Sequence, residues 1–191
     1  MNFIRRIPLL VWVLIPTVLI LGVGIWFFSR PSVLGEKGMA EGTGDAKLAA
    51  VSKPVEGTVE YDIVGRNHIA QGTPGSGYNS NPPTSGPHWN GPAKNGNHDS
   101  PLADEQALHN LEHGYVWISY KGDVSDDVKN KLKEIVGGDD WKVILSPRDA
   151  DETKIALAAW GRVLKMDEPD YDKVKDFIKT YRNRGPEKTP D

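Results

Sequence analysis

The chain contains no cysteine among its 191 residues. That absence excludes disulfides, thiolate metal sites, iron–sulfur clusters and a lipid-modified cysteine at a membrane exit. Methionine is nearly as scarce, with three residues. Met39 and Met166 lie outside the histidine-rich stretch described below, so a soft thioether site for copper(I) is not indicated. Basic residues are in deficit, with 23 Lys+Arg against 26 Asp+Glu. Arg5, Arg6 and Arg30 flank an N-terminal apolar run, and beyond residue 30 the balance is 20 against 26, a net charge of −6. An acidic domain without a basic stripe argues against nucleic acid as partner. No Gly-x-Ser-x-Gly elbow occurs, and Gly72-Thr73-Pro74-Gly75-Ser76-Gly77 lacks the lysine and following helix of a phosphate loop. Internal repeats and a heptad seam are also absent.

The first feature present is a run from Ile7 to Phe28, 22 residues without a charge. A membrane core about 30 Å thick needs about 20 apolar residues, so this run is long enough to span. It exceeds the roughly 7–15 apolar residues of a cleaved signal peptide, and Phe27-Phe28-Ser29-Arg30 is a poor cleavage site. The expectation is an uncleaved transmembrane anchor over 7–28 with a cytoplasmic tail over 1–6. Arg5, Arg6 and the amino terminus outweigh Arg30, which places the rest of the chain outside the cytoplasm. Its partners would then be the membrane itself, through the N-terminal helix, and an envelope protein of unknown identity. Residues 29–56, with Gly35, Gly38, Gly42 and Gly44 and no lasting periodicity, read as a flexible tether.

From Gly57 the pattern changes to that of a soluble domain over 57–187. Val59, Tyr61 and Ile63 alternate with polar residues and predict a strand. A short helix is expected over about Leu102–Glu112, ending at Gly114, then a strand over Tyr115–Tyr120. The spacing of Val128, Leu132, Ile135 and Val136 predicts a helix from Asp126 to Val136. Further strands are expected at Trp141–Ser146 and Ile155–Trp160, the second extending toward Leu164, with the two joined as an antiparallel hairpin. Val174, Phe177, Ile178 and Tyr181 predict a last helix over Asp170–Asn183. This order indicates a mixed α/β (α+β) fold, a four-stranded mixed sheet with about three helices. The element order is thioredoxin-like without the cysteine pair, with a ferredoxin-like sheet as the alternative.

All five histidines, His68, His88, His98, His109 and His113, fall between residues 66 and 114. In residues 66–101, Gly, Pro and Asn make up 18 of 36 positions and no apolar period survives. A loop of that length inside a domain is either functional or disordered. Pro82, Pro83 and Pro87, the bonding side chains of Asn79, Ser80 and Asn81, and the aromatics Tyr78 and Trp89 favour an ordered loop lying over the following helix. On that helix His109 and His113 are four apart and share a face, with Glu112 adjoining. Two imidazoles and a carboxylate suit a borderline divalent ion such as zinc, copper(II) or non-haem iron. His88, pinned behind Pro87, and His68, just past the first strand, are the outside ligand candidates, whereas His98 sits in the solvated Asn95–Asp99 piece. The spelling His-x-x-Glu-His also matches an inverted zinc-peptidase motif, with Glu112 as general base, but Gly114 and a strand follow at once. Ser80, Thr84 and Ser85 read as turn caps, and Arg162 as a strand-end side chain that could approach the site.

Four segments carry a family resemblance: Asn-Pro-Pro-Thr-Ser-Gly-Pro-His (81–88), Leu-His-Asn-Leu-Glu-His-Gly (108–114), Ala-Trp-Gly-Arg (159–162) and Arg-Asn-Arg-Gly-Pro-Glu (182–187). Over about residues 57–187 the chain resembles the bacterial and archaeal family known as domain of unknown function 3105. The resemblance implies an N-terminal membrane segment, and implies that His68, His88, His109, Glu112 and His113 stand at motif positions while His98 departs from them. It brings no reaction with it. The sequence therefore leads to an expectation of a membrane-anchored extracytoplasmic domain that holds zinc or copper(II) on a histidine cluster, with no enzymatic activity indicated. The alternatives are a metal-dependent hydrolase using Glu112, or a structural or partner-binding envelope module whose histidines only hydrogen-bond the loop.

Overall fold

A computed structural model describes residues 48, 50, 51 and 53–190. The expected anchor over 7–28 lies outside these residues, and among the described residues no helix is long and apolar enough to cross a membrane. The elements in chain order are β1 (Val59–Glu60), β2 (His68–Ile69), β3 (His88–Trp89), β4 (Gly96–Asn97), α1 (Asp104–Glu112), β5 (Val116–Tyr120), α2 (Asp126–Gly138), β6 (Val143–Pro147), β7 (Ile155–Ala159), β8 (Arg162–Met166) and α3 (Tyr171–Tyr181). They form a mixed α+β domain with one six-stranded sheet, ordered β1-β8-β7-β5-β6-β4, and a small two-stranded sheet of β2 and β3.

Side chains alternate across a strand, and here each face of the main sheet is covered by helix. Val116, Ile118 and Tyr120 of β5 point to the face where Leu132 and Val136 of α2 and Val174, Phe177, Ile178 and Tyr181 of α3 are buried. Trp117, one residue out of phase, joins Ala107, Leu108 and Leu111 of α1 on the opposite face, with Ile144, Ala158 and Trp160. The central strands β5 and β7 are buried along their whole length. The helical spacing of apolar residues thus decides which side of α2 and α3 meets the sheet. At the start of α3 the Asp170 side chain caps the helix by accepting from Lys173 N at 3.0 Å.

The sheet is larger than the four strands expected, and its hairpin is elsewhere. β6 runs parallel to β5, and β7 pairs antiparallel with the other edge of β5, so β6 and β7 are not neighbours. The hairpin joins β7 to β8, where Ala159 pairs with Arg162 across Trp160 and Gly161. Gly161 sits at φ +69°, a conformation that suits glycine and lets the chain reverse in two residues. A continuous apolar run conceals that reversal. The strand expected after Gly57 is reduced to an edge pair, Val59 with Val163 and Glu60 with Arg162. Within the stretch expected to be tether, Leu48, Val51 and Val55 pack against the core. Val55 N also donates to the Tyr181 hydroxyl at 3.2 Å.

These contacts generate a test. A chain beginning at residue 57 loses Leu48, Val51 and Val55, and is expected to be less stable than one beginning at residue 47. Three partly buried aliphatic side chains correspond to on the order of 2–4 kcal/mol. Chemical denaturation of the two truncated chains measures the difference, and equal midpoints would show that the segment adds nothing.

Candidate metal centre

The 66–101 loop is ordered by returning to its own start. Parallel pairing of β2 with β3 puts His68 directly beside His88, and Ile69 beside Trp89. Register partners on adjacent strands present side chains to the same side, and the two imidazole rings lie with centroids 4.8 Å apart. Gly86 N donates to Gly65 O at 2.8 Å and His88 N to Asn67 O at 3.1 Å. The loop's own side chains add further ties. Val64 N donates to Ser85 Oγ, the Tyr78 hydroxyl to Pro87 O, and Trp89 Nε1 to Thr73 O. Ser80 and Thr84 bond to each other through their hydroxyls. Residues 82–86 are buried against the domain, while most of residues 70–77 and 90–101 stay exposed.

Helix α1 supplies the other half. Ala107, Leu108 and Leu111 face the sheet, which turns His109, Asn110 and Glu112 toward the loop. Asn110 is buried and grips Ala93 twice, accepting from its N–H at 2.7 Å and donating to its carbonyl at 2.9 Å. At the helix start, Arg148 donates to both Asp104 carboxylate oxygens at 2.8 and 2.7 Å. The same guanidinium reaches Asn81 Oδ1 of the loop and Asp151. At the helix end, Gly114 adopts φ +85°, and Gly114 N and Tyr115 N return to the carbonyls of Leu111 and Asn110. This paired closure ends the helix just after His113.

Three imidazoles converge on one oxygen. Glu112 Oε2 lies 3.0 Å from His88 Nε2, 3.5 Å from His68 Nε2 and 3.9 Å from His109 Nδ1. One potential ligand atom from each of these four residues lies within 4.8 Å of all the others. Zinc at the usual 2.0–2.1 Å bond lengths in a tetrahedron would place its ligand atoms about 3.3 Å apart, inside the observed spread. His88 and Glu112 are almost fully buried, at 0 and 2 % side-chain exposure, whereas His68 keeps 30 %.

The donor and acceptor roles show why this group suits a cation. His88 Nδ1 is 2.8 Å from Gly86 O. A carbonyl only accepts, so Nδ1 carries the proton, and in the neutral ring Nε2 presents its lone pair to the Glu112 carboxylate. Two acceptors face each other across 3.0 Å unless a proton or a metal ion lies between them. His109 Nδ1 is buried with no hydrogen-bond partner at all, and such an atom is costly unless it serves as a ligand. His68, His88, His109 and Glu112 could therefore hold a metal ion.

Electrostatics separates the four groups further. Burial pushes the Glu112 carboxyl up, but the hydrogen bond with His88 and the charges of His88, His68 and His109 outweigh it and hold the carboxyl below its ordinary value. The His109 imidazole is pushed from 6.5 to about 4, first by burial and then by the neighbouring histidine charges, against the pull of Glu112.

The remaining expected residues are placed apart from this group. His113 caps α1, and its Nε2 lies 3.2 Å from Glu187 Oε2. With Glu112 and Glu187 it makes a second group of potential ligands. His98 Nε2 bonds to Lys94 O at 2.8 Å and belongs to neither group. Arg162 is buried on β8, paired with Glu60 and positioned over the Tyr181 ring. Glu187 and Asn110 escaped the sequence reading. Neither was singled out as a site residue, although Glu187 closes the 182–187 segment and Asn110 lies within the 108–114 segment, both of which carry the family resemblance; Glu187 is over 70 residues from the histidines in sequence.

The buried His109 ring leads to a pH test. The folded chain favours neutral His109, so between pH 6.5 and about 4 the unfolded chain binds a proton that the folded chain does not. This contribution to stability is complete above 6.5 and is lost as the pH falls through that window. In chelator, the melting temperature of the unaltered protein is expected to decline more steeply from neutral pH to pH 4 than that of His109→Asn. Parallel curves would mean that the ring titrates alike in both states.

No curated protein and no solved structure matches the chain. A family model does match, over residues 68–191. That span is more than half of the chain and takes in both groups of potential ligands, from His68 to Glu187, and the protein accordingly belongs to the family described as protein of unknown function (DUF3105).

Proposed function

We propose that this protein binds a divalent transition metal, zinc or copper(II), through His68, His88, His109 and Glu112. The observation that carries the reading is the buried, partnerless His109 Nδ1 in a group where three imidazoles meet one carboxylate oxygen. Imidazole and carboxylate donors suit borderline ions, and the absence of cysteine removes the soft competitor. The domain carrying the site is anchored in a membrane by residues 7–28 and faces outward, on the support of the apolar run and its flanking arginines. The parallel β4, β6 and β5, followed across β5 by antiparallel β7 and β8, support a thioredoxin-like arrangement. Thiol–disulfide exchange is not its chemistry, since no cysteine is present.

A hydrolase with Glu112 as general base has less support. Glu112 Oε2 is the point on which the imidazoles converge, which makes the carboxylate a ligand in this reading. Elemental analysis of the full chain, purified without a histidine tag, is expected to find zinc or copper. His88→Ala and Glu112→Gln are each expected to weaken uptake by at least about 100-fold, since loss of even a side chain that only orients a ligand costs about 10–100-fold. His98→Ala should bind as the unaltered chain does. No metal in the purified protein and no heat of binding on titration would leave the histidines as ties for the loop.

A further inference from the structure

We infer that the centre is binuclear: His113 and Glu187 form a second metal position beside the first, with Glu112 as the carboxylate shared by both. The inference rests on the metal-binding reading of His68, His88, His109 and Glu112. One potential ligand atom from each of Glu112, His113 and Glu187 lies within 4.8 Å of the others, and Glu112 belongs to both groups. The three imidazole contacts to Glu112 at the first position all fall on Oε2, so they do not use the second oxygen of the carboxylate. The two positions adjoin through the helix, because His109 and His113 are one turn apart with ring centroids 4.4 Å from each other.

The C-terminal segment delivers Glu187 to this place by design of the backbone. Asn183 N donates to Gly114 O at 2.6 Å and Glu187 N to Glu112 O at 3.1 Å, so the segment crosses the end of α1 in fixed register. At Gly185 a Cβ would collide with the Glu112 carbonyl oxygen and with Gly114 N, and only glycine permits that approach. Lys142 Nζ, donating to His113 O at 2.9 Å and to Thr189 O at 2.9 Å, fastens helix end and segment together.

A simple hydrogen bond between His113 and Glu187 accounts for less. It involves Nε2 alone and does not account for His113 Nδ1, buried without a hydrogen bond, which an ion taken on that nitrogen would satisfy. It also leaves carboxylate oxygens of Glu112 and Glu187 within 4.8 Å of each other, a proximity of like charge that a divalent ion offsets. The position is more open than the first, since the Glu187 side chain is 43 % exposed. An ion there can take further ligands from solution, and paired ions about 3.5–4 Å apart act together on a bound oxygen group.

The test is the metal-to-protein ratio of the full chain, untagged, equilibrated with zinc and in a parallel sample with copper(II), then cleared of free ion. Two ions per chain are expected, falling to one in Glu187→Gln and in His113→Ala. Glu187→Gln keeps the backbone tie to Glu112, so its near-ultraviolet circular dichroism should match that of the unaltered chain. One ion in the unaltered chain, displaced by His88→Ala, overturns the second position and leaves the first standing. No ion overturns both. Two ions that persist in Glu187→Gln and in His113→Ala also overturn the inference, because the second ion would then be held elsewhere.

Discussion

A carboxylate buried at the end of a helix is the constraint on which the rest of the site depends. Taking a charged carboxylate out of water costs several kcal/mol even after the protein relaxes, and Glu112 is 1 % exposed. Leaving it unpartnered would remove a large share of the stability of an ordinary domain, about 5–15 kcal/mol. The three imidazoles around Oε2 offset that cost, and two of them come from a loop with no helix or long strand of its own. The long loop is thus more than a connection. It supplies two of the three imidazoles around Glu112 Oε2, and the two-residue β2–β3 pairing is the device that presents both histidines at once.

Holding these groups together requires a helix that does not move along or about its axis. α1 is nine residues long and would be marginal in isolation. It is fixed at each end and in the middle by different chemistry. Arg148 makes a two-pronged contact with Asp104 at the start, Asn110 clamps Ala93 at the centre, and the backbone closure at Gly114 completes the end. The inner face is buried through Leu108 and Leu111. Asn81 and Asp151 on the same Arg148 guanidinium connect the loop and, through Ser119, strand β5 to the first turn, so disturbance of any one tie is shared by loop and helix.

The sequence made the local features legible and concealed the non-local ones. Val174, Phe177, Ile178 and Tyr181 are all buried in α3 because helical spacing is written in one continuous stretch. The i, i+3 relation of His109 and Glu112 is likewise local, and His98 was separable by its Asn-Gly surroundings. Strands of two residues, as at β2, β3 and β4, carry no period to detect. The β7–β8 reversal at Gly161 lies inside an apolar run that reads as one strand, and without it β6 and β7 look like the hairpin. His68 was a candidate only by position after a strand, since its neighbour in space, His88, is 20 residues later. Glu187 was the most remote, because the backbone contact that positions it forms only when the chain end crosses α1.

Burial also decides the form of the side chains that could hold a metal ion. An exposed histidine cluster at neutral pH carries protons that a metal must displace, and apparent affinity falls accordingly. Here desolvation and neighbouring charge push His109 to about 4, so its ring is neutral under ordinary conditions and Nδ1 already offers a lone pair or the proton of one tautomer. The same low-dielectric surroundings keep Glu112 ionised only because histidines stand beside it. A divalent ion would suit that arrangement better than protons do: a proton can satisfy one nitrogen–oxygen pair at a time, whereas one ion could engage all four donor atoms at once.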